Sequence, residues 1–382
     1  MAARIPTTKP TILGTELALI KEALTSSNLN GKGKYTRLCE QWLETFMPAD
    51  SKGKAFVLSS CTSALELAAI LANIQPGDEI IVPSYTYVST VNSFVLRGAV
   101  PVFVSLDSRT MNIDARVIEA AITSKTRVIV PVHYGGIAAD MDPIMDIARR
   151  HGLLVVEDAA MACTSLYKGR MLGTIGHIGC ISFQEKKNFT AGGQGGALLV
   201  NDPSFIDRAM IIYEHGTNRG QVDRYQWLDL GINATLSEVQ AAFLYAQLQA
   251  ADTINASRLK LWQRYHSALR PLVEKRHLIL PTIPENTTHN GNVFWIRLVD
   301  ARRRRQMIEF LNVRGIQAHP QFMPLHSSPM GLVTGRFSGD GQSTEMAVAQ
   351  ILLLPLFVGL SDGEQERVIE GVFAFWTESR PL

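Results

Sequence analysis

Val155-Val156-Glu157-Asp158-Ala159-Ala160 and, further along, Ser182-Phe183-Gln184-Glu185-Lys186-Lys187-Asn188-Phe189-Thr190-Ala191-Gly192-Gly193-Gln194-Gly195-Gly196 are the stretches on which the reading of this chain turns. The first is a β-branched apolar run that closes on carboxylates, which reads as a buried strand with Asp158 at its carboxyl end. The second leaves an apolar run, presents two lysines in a turn and breaks into glycines. A strand ending in a carboxylate followed by a lysine-bearing turn supplies the two groups that pyridoxal phosphate needs: a partner for its ring nitrogen and an amine for its aldehyde. Either motif alone is weak, and the pair is the signal.

Around these stretches, short apolar runs at 55–58, 79–82, 100–104, 127–132, 153–156, 180–183 and 197–200 alternate with helix-length amphipathic segments. That alternation predicts an α/β fold with a mainly parallel, seven-stranded sheet covered on both faces, and ligands gathered at the carboxyl ends of its strands. The helix over 140–151 should stop at Gly152, since a left-handed terminus favours glycine. After about residue 250 the pattern changes: a long helix containing 257–272 leads to Pro281 and Pro284 and then to a smaller set of strands and helices. We expect a large domain with an N-terminal arm over 1–250, and a smaller C-terminal α+β domain over 251–382.

With 382 residues and 46% hydrophobic content the chain can bury a large core, and a formal charge of only +2 gives no reason to expect nucleic acid as a partner. The basic run Arg302 to Arg305 has no interleaved aromatic platform and reads as a solvated helix face. No apolar run approaches the roughly 18 residues of a membrane span, and the start, Met-Ala-Ala-Arg-Ile-Pro, has no signal-peptide apolar core. A cytoplasmic location without membrane attachment is the expectation. Cys39, Cys61, Cys163 and Cys180 have no metal-ligand spacing and read as reduced thiols, and with the histidines scattered, no metal site is expected.

Five further stretches carry a resemblance: Ser59-Ser60-Cys61-Thr62-Ser63-Ala64-Leu65-Glu66, Pro83-Ser84-Tyr85-Thr86-Tyr87-Val88-Ser89-Thr90, Pro131-Val132-His133-Tyr134-Gly135-Gly136, Tyr167-Lys168-Gly169-Arg170 and the glycine-rich turn after Lys187. In that order they resemble the DegT and StrS type of sugar aminotransferase, within the fold-type I pyridoxal phosphate enzymes, and most of all the dTDP-4-amino-4,6-dideoxygalactose transaminases. The resemblance implies a homodimer with shared active sites and an N-terminal arm that packs back near the site around Leu29-Asn30-Gly31.

Residue by residue, the resemblance places Lys187 rather than its neighbour Lys186 on the cofactor aldehyde, by its spacing to Ser182 and to Gly195-Gly196. An unprotonated amine is needed there, and burial would favour one. Asp158 would hold the ring nitrogen protonated. Glu157, its neighbour, must point to the other face of the strand. Ser63 and Glu66 have the spacing of a capping box, so the turn before them should offer free amides to a phosphate. The resemblance assigns that phosphate to Cys61, Thr62 and the Ser182 hydroxyl, and assigns Tyr87 to stacking on the ring, with Tyr85 as the fallback. It gives Asn233 to the cofactor phosphate of the partner subunit. A loop asparagine capping the helix over 237–248 is the other reading. His133 reads as a structural histidine.

Several positions depart from the family pattern. Met161 stands where a Gln or His would donate to the cofactor's phenolic oxygen, and a thioether cannot donate. Gln321 and Phe322 replace a His-Tyr pair near the substrate, Thr235 replaces an arginine suited to a diphosphate, with Arg219 or Arg224 as possible substitutes, and Gln194 replaces an acid. The expected activity is transfer of an amino group from an amino acid, glutamate in this reading, to a nucleotide-linked 4-keto-6-deoxy sugar. The alternatives are a relative acting on a non-nucleotide ketone, such as an aminocyclitol or natural-product intermediate, and a non-catalytic regulator that binds the cofactor. A dehydratase is disfavoured because those enzymes carry histidine in place of Lys187.

Overall fold

A computed structural model describes residues 4–49, 52–219, 222 and 224–378. Eight strands form the main sheet: β1 (Lys54–Leu58), β2 (Glu79–Pro83), β3 (Val100–Val104), β4 (Thr126–Ile129), β5 (Leu154–Asp158), β6 (Ile178–Ser182), β7 (Gly196–Val200) and β8 (Arg336–Phe337). Their order is β1-β7-β6-β5-β4-β2-β3-β8. Strand β7 runs antiparallel to both its neighbours, and the other five pairings are parallel.

The strands read as continuous apolar runs because both faces of the sheet are covered. Neighbouring side chains point opposite ways and enter different cores. Ile81, Val155 and Leu199 join the cluster that includes the Met141–His151 helix. Ile80, Val82, Val156 and Leu198 join the cluster built on the Cys61–Leu71 helix. Each such fully buried aliphatic side chain contributes roughly 1.5–3 kcal/mol. The Met141–His151 helix starts after Asp140 and ends at Gly152, whose φ of 63° is the left-handed conformation expected of it.

The sheet has one strand more than the seven apolar runs. Strand β8 is two residues long and has no apolar run to betray it. It pairs in parallel with β3, Arg336 beside Val102 and Phe337 beside Phe103, and the Arg336 guanidinium holds the Glu79 carboxylate at 3.1 Å. Strand β4 stops before 132. Beyond it the chain stays beside β5 through Asp158 N–H to the Pro131 carbonyl, 2.9 Å, and His133 N–H to the Asp158 carbonyl, 3.1 Å.

In the C-terminal part, Leu278–Ile279, Phe294–Leu298 and Ile351–Leu354 form an antiparallel three-stranded sheet. Its core also draws on the Ala251–Ala268, Arg303–Val313 and Asp362–Glu378 helices. We propose the division near residue 250, where the Glu238–Gln249 helix gives way to Ala251–Ala268. Ile5 packs into the C-terminal core, bonded to Gly315 and Gln317. The basic run is answered locally: Arg302 pairs with Asp300 and Arg305 with Glu309, Arg304 donates to the Val348 carbonyl, and Arg303 lies over the Phe375 ring. Among the described residues, no helix is long and apolar enough to cross a membrane.

Candidate active site

Asp158 ends β5 almost buried, 5% exposed, at the carboxyl edge of the parallel strands. One carboxylate oxygen accepts from Thr90 Oγ1 at 2.6 Å and the other from the Ala160 amide at 3.1 Å. The Thr90 hydroxyl is itself within 2.8 Å of the Thr86 hydroxyl. Glu157 points the other way, fully buried, and accepts from the amides of Gly173, Ile175 and Gly176 and from His133 Nε2 at 2.9 Å. His133 Nδ1 accepts from the Ala139 amide at 3.1 Å, so Nε2 carries the proton toward Glu157. Burial is the largest influence on the Glu157 carboxyl and would raise it, but those hydrogen bonds outweigh it and hold the carboxyl below its ordinary value. This pair is a structural tie, and Asp158 is the carboxylate left at the strand end.

The lysine turn leaves β6 and returns as β7, closed by Phe183 N–H to the Gly195 carbonyl and Glu185 N–H to the Gly193 carbonyl, both 2.8 Å. Lys187 is half-buried and Lys186 is exposed. Burial pushes the Lys187 ammonium below the ordinary lysine value, while Asp158 acts to keep its charge and Lys186 acts against it; Cys61 is also among its neighbours. Lys187 therefore lies within electrostatic reach of both Asp158 and Cys61.

At the end of β1, Ser60 adopts extended geometry and its hydroxyl accepts from the Ser63 amide at 3.0 Å, starting the Cys61–Leu71 helix. This corrects the capping box: the cap is Ser60, three residues earlier than expected, and Glu66 is not part of it. The correction moves Cys61 and Thr62 into the first helical turn, where backbone N–H groups have no intrahelical acceptor and the helix dipole adds partial positive charge. Ser182 ends β6 beside Gly196, the first residue of β7. A side chain on Gly196 would have its Cβ 2.3 Å from the Cys61 nitrogen, so the two backbones meet with nothing between them. Burial, reinforced by Asp158, pushes the Cys61 thiol well above its ordinary value, which keeps it uncharged.

Tyr87, 58% exposed, precedes the Val88–Val95 helix and lies one turn before Thr90. Its ring is free of the core and open to a flat partner. Tyr85, the fallback, is fully buried and its hydroxyl donates to Tyr134 at 2.9 Å, which removes it from stacking. Phe322 packs at 5.9 Å from the Tyr87 ring and 5.7 Å from Tyr85. Met161 is buried in the same cluster with Tyr134 and Trp295. Asn233 is exposed, next to Ala234, whose carbonyl accepts from Ser59 N–H at 2.7 Å. It does not cap the helix after it; Ser237 does, accepting from the Gln240 amide at 3.3 Å. Arg219, Arg224 and Gln194 are exposed and Thr235 half-buried.

Two functional candidates escaped the sequence reading. Thr90 orients Asp158, and its signal was its place at the end of the quoted Tyr87-Val88-Ser89-Thr90 run. Glu238 is buried and takes the amides of Gly33, Tyr35 and Thr36 at 2.8, 2.9 and 3.2 Å, sealing the start of the Lys34–Glu44 helix. That bond set fastens the arm beside the segment carrying Asn233.

The donor set fits pyridoxal phosphate: a buried carboxylate, a partly buried amine of lowered basicity and a helix N-terminus flanked by a serine converge on one strand edge. Residues 10–373 match the DegT/DnrJ/EryC1/StrS aminotransferase family. The chain belongs to that family. GDP-perosamine synthase of Caulobacter vibrioides is 33% identical over 374 residues, 96% of each chain. The S. venezuelae DesV structure, solved in complex with a ketimine intermediate, is 31% identical with a TM-score of 0.88 and full coverage of both chains. NtdA from Bacillus subtilis with bound cofactor PMP is 28% identical with a TM-score of 0.85, covering 96% of this chain and 83% of that one. This family member is a pyridoxal phosphate-dependent sugar aminotransferase.

Proposed function

We propose that the enzyme takes an amino group from an amino acid, L-glutamate in our reading, and delivers it to the keto group of a nucleotide-linked 4-keto-6-deoxy sugar. The observation that carries this is that the turn bearing Lys187, the carboxylate of Asp158 and the start of the Cys61–Leu71 helix meet at the ends of the adjoining strands β6, β5 and β7. The likeness to a GDP-perosamine synthase over nearly the whole chain supports the sugar nucleotide.

Asp158 would hold the ring nitrogen protonated, and Thr90 and the Ala160 amide fix the carboxylate for that task. Cys61, Thr62 and the Ser182 hydroxyl would hold the phosphate, and Tyr87 would lie against the ring. When bound, pyridoxal phosphate supplies an electron sink for the carbon that loses its proton. Lys187, with its lowered basicity, takes that proton at Nζ from the donor's α-carbon and returns it on the other side of the transfer. The same amine serves in reverse on the ketone.

The assembly in this proposal is a cytoplasmic homodimer in which Asn233, exposed in one protomer, reaches the phosphate held by its partner. Lys187→Ala and Asn233→Asp chains, refolded together, should form some dimers with one intact site, with activity above the sum of the parents. Verified exchange without recovered activity would dismiss the shared site.

A second reading, a non-nucleotide ketone, is favoured by Thr235 at the diphosphate position and by the apolar Met161 and Phe322 at the site. To decide, the cofactor-loaded enzyme is incubated with glutamate and offered keto-sugar nucleotides and simple ketones, with products followed by mass spectrometry. Transfer to simple ketones alone would replace the first reading with the second.

A further inference from the structure

Gln321 borders this site and is held by a chain of hydrogen bonds. Tyr85 donates to the Tyr134 hydroxyl at 2.9 Å, and Tyr134 donates to Gln321 Oε1 at 3.3 Å. With the carbonyl oxygen taken up in this way, the amide nitrogen, Nε2, faces away from the chain, and it has no acceptor among the described residues.

Its neighbour places it. Phe322, one residue later, packs on Tyr87, one turn from the threonine that holds Asp158. Gln321 therefore stands next to the ring that borders the exposed tyrosine. The segment is moored: Leu325 N–H donates to the Ser84 carbonyl at 2.9 Å, and the Ser84 hydroxyl meets His326 Nδ1 at 2.5 Å.

We propose that Gln321 is a specificity-determining residue whose amide nitrogen donates to an oxygen on the carbon next to the reacting carbonyl of the acceptor, so the enzyme selects ketones that carry a hydroxyl there. A primary amide neither gains nor loses a proton in the working range, so it reads the oxygen without taking part in proton transfer. The adjacent Phe322 has no hydroxyl and offers an apolar wall to the other side of the carbonyl, as a deoxy carbon requires. The proposal rests on the aminotransferase reading, and on the nucleotide sugar only for one of the two probes below.

The test uses the pyridoxal phosphate-loaded enzyme and two matched pairs of acceptors. One pair is dTDP-4-keto-6-deoxyglucose and its 3-deoxy counterpart; the other is 2-hydroxycyclohexanone and cyclohexanone. In each reacting pair the wild type should favour the hydroxylated ketone. Gln321→Met, similar in length but without a donor, should lower kcat/KM for that ketone by about 10–100-fold, the cost of leaving one polar group without its partner. It should change the deoxy ketone by less than about 3-fold, well inside the loss expected of a missing bond. Tyr134→Phe, which frees the amide to turn, should shift the ratio the same way by less. Damage to the fold would lower both members of a pair alike and leave the ratio unchanged, which overturns the proposal. Absence of a hydroxyl preference in the wild type, or of any reaction with all four ketones, overturns it as well. A preference confined to the cyclohexanones, with both nucleotides inert, upholds Gln321 and removes only the nucleotide-sugar reading.

Discussion

Lys186 and Lys187 share a turn and a side-chain type, yet one stands in solvent and the other within reach of Asp158 and Cys61. Burial favours the uncharged form of Lys187, and only an uncharged amine attacks an aldehyde. Borohydride treatment of the loaded protein followed by peptide mapping should therefore find the cofactor on Lys187. Lys186→Ala should keep the yellow colour and Lys187→Ala should lose covalent attachment. Cofactor trapped on Lys186 would reverse the assignment. At this scale the sequence was readable wherever chemistry depends on neighbours along the chain, as with Asp158 after its strand and Lys187 after Ser182. It was silent where the partner arrives from elsewhere. Thr90 meets Asp158 from 68 positions away and Tyr134 meets Gln321 from 187, and no spacing rule connects them.

Between elements, a close junction at the site is the crossing of β7 under the start of the Cys61–Leu71 helix. Gly196 is there because only a missing side chain lets the two backbones touch. In Gly196→Ala the added methyl would meet the Cys61 nitrogen and the Ser60 carbonyl carbon, each at 2.3 Å, and neither is a flexible tip that can step aside. The expected outcome is a loss of about 1–3 kcal/mol, with weaker retention of the phosphate, read by denaturant unfolding and by cofactor titration. Gly363, in the Asp362–Glu378 helix with open space at its Cβ, is the control. Alanine there should stabilise by up to about 1 kcal/mol. Equal stability of Gly196→Ala and wild type would mean the crossing is looser than drawn. The seven apolar strands were legible because burial on both faces writes itself as unbroken Val, Ile and Leu. The two-residue β8 was not, since its pairing is backbone work that any residue can do. The helix cap was misread by three residues, because Ser60 and Ser63 are chemically the same and only the φ and ψ of the turn choose between them.

At the scale of the whole molecule, one tie between the Lys34–Glu44 helix and the main sheet titrates near neutrality. Glu40, in the Lys34–Glu44 helix, accepts from the Val57 amide of β1 at 3.2 Å. Burial pushes its carboxyl up to about 7, the amide and the nearby Lys54 and Lys32 pull it back, and Glu44 adds to the rise. The unfolded chain gives up this proton near the ordinary value of 4.5 while the folded chain keeps it to about 7. Unfolding therefore releases a proton across that window, and the group's contribution to stability falls as pH rises through it. Glu40→Gln keeps an acceptor for Val57 and cannot ionise. Its stability relative to wild type should be greater at pH 8 than at pH 5, measured as urea midpoints; a pH-independent difference would show that Glu40 ionises normally.

The moored segment running from His319 to β8 has a consequence for engineering. It enters through the Leu353 amide on the His319 carbonyl at 2.9 Å, is tied midway to Ser84, and leaves as a strand hydrogen-bonded to β3. Both ends are fixed by main-chain bonds, to which His319 adds a side-chain contact with Thr7 and Arg336 one with Glu79. Residues 319–337 thus behave as an exchangeable cassette: a stretch of the same length from a relative that keeps His319 and Arg336 can be spliced in at these seams, and would bring its own choice of ketone with it.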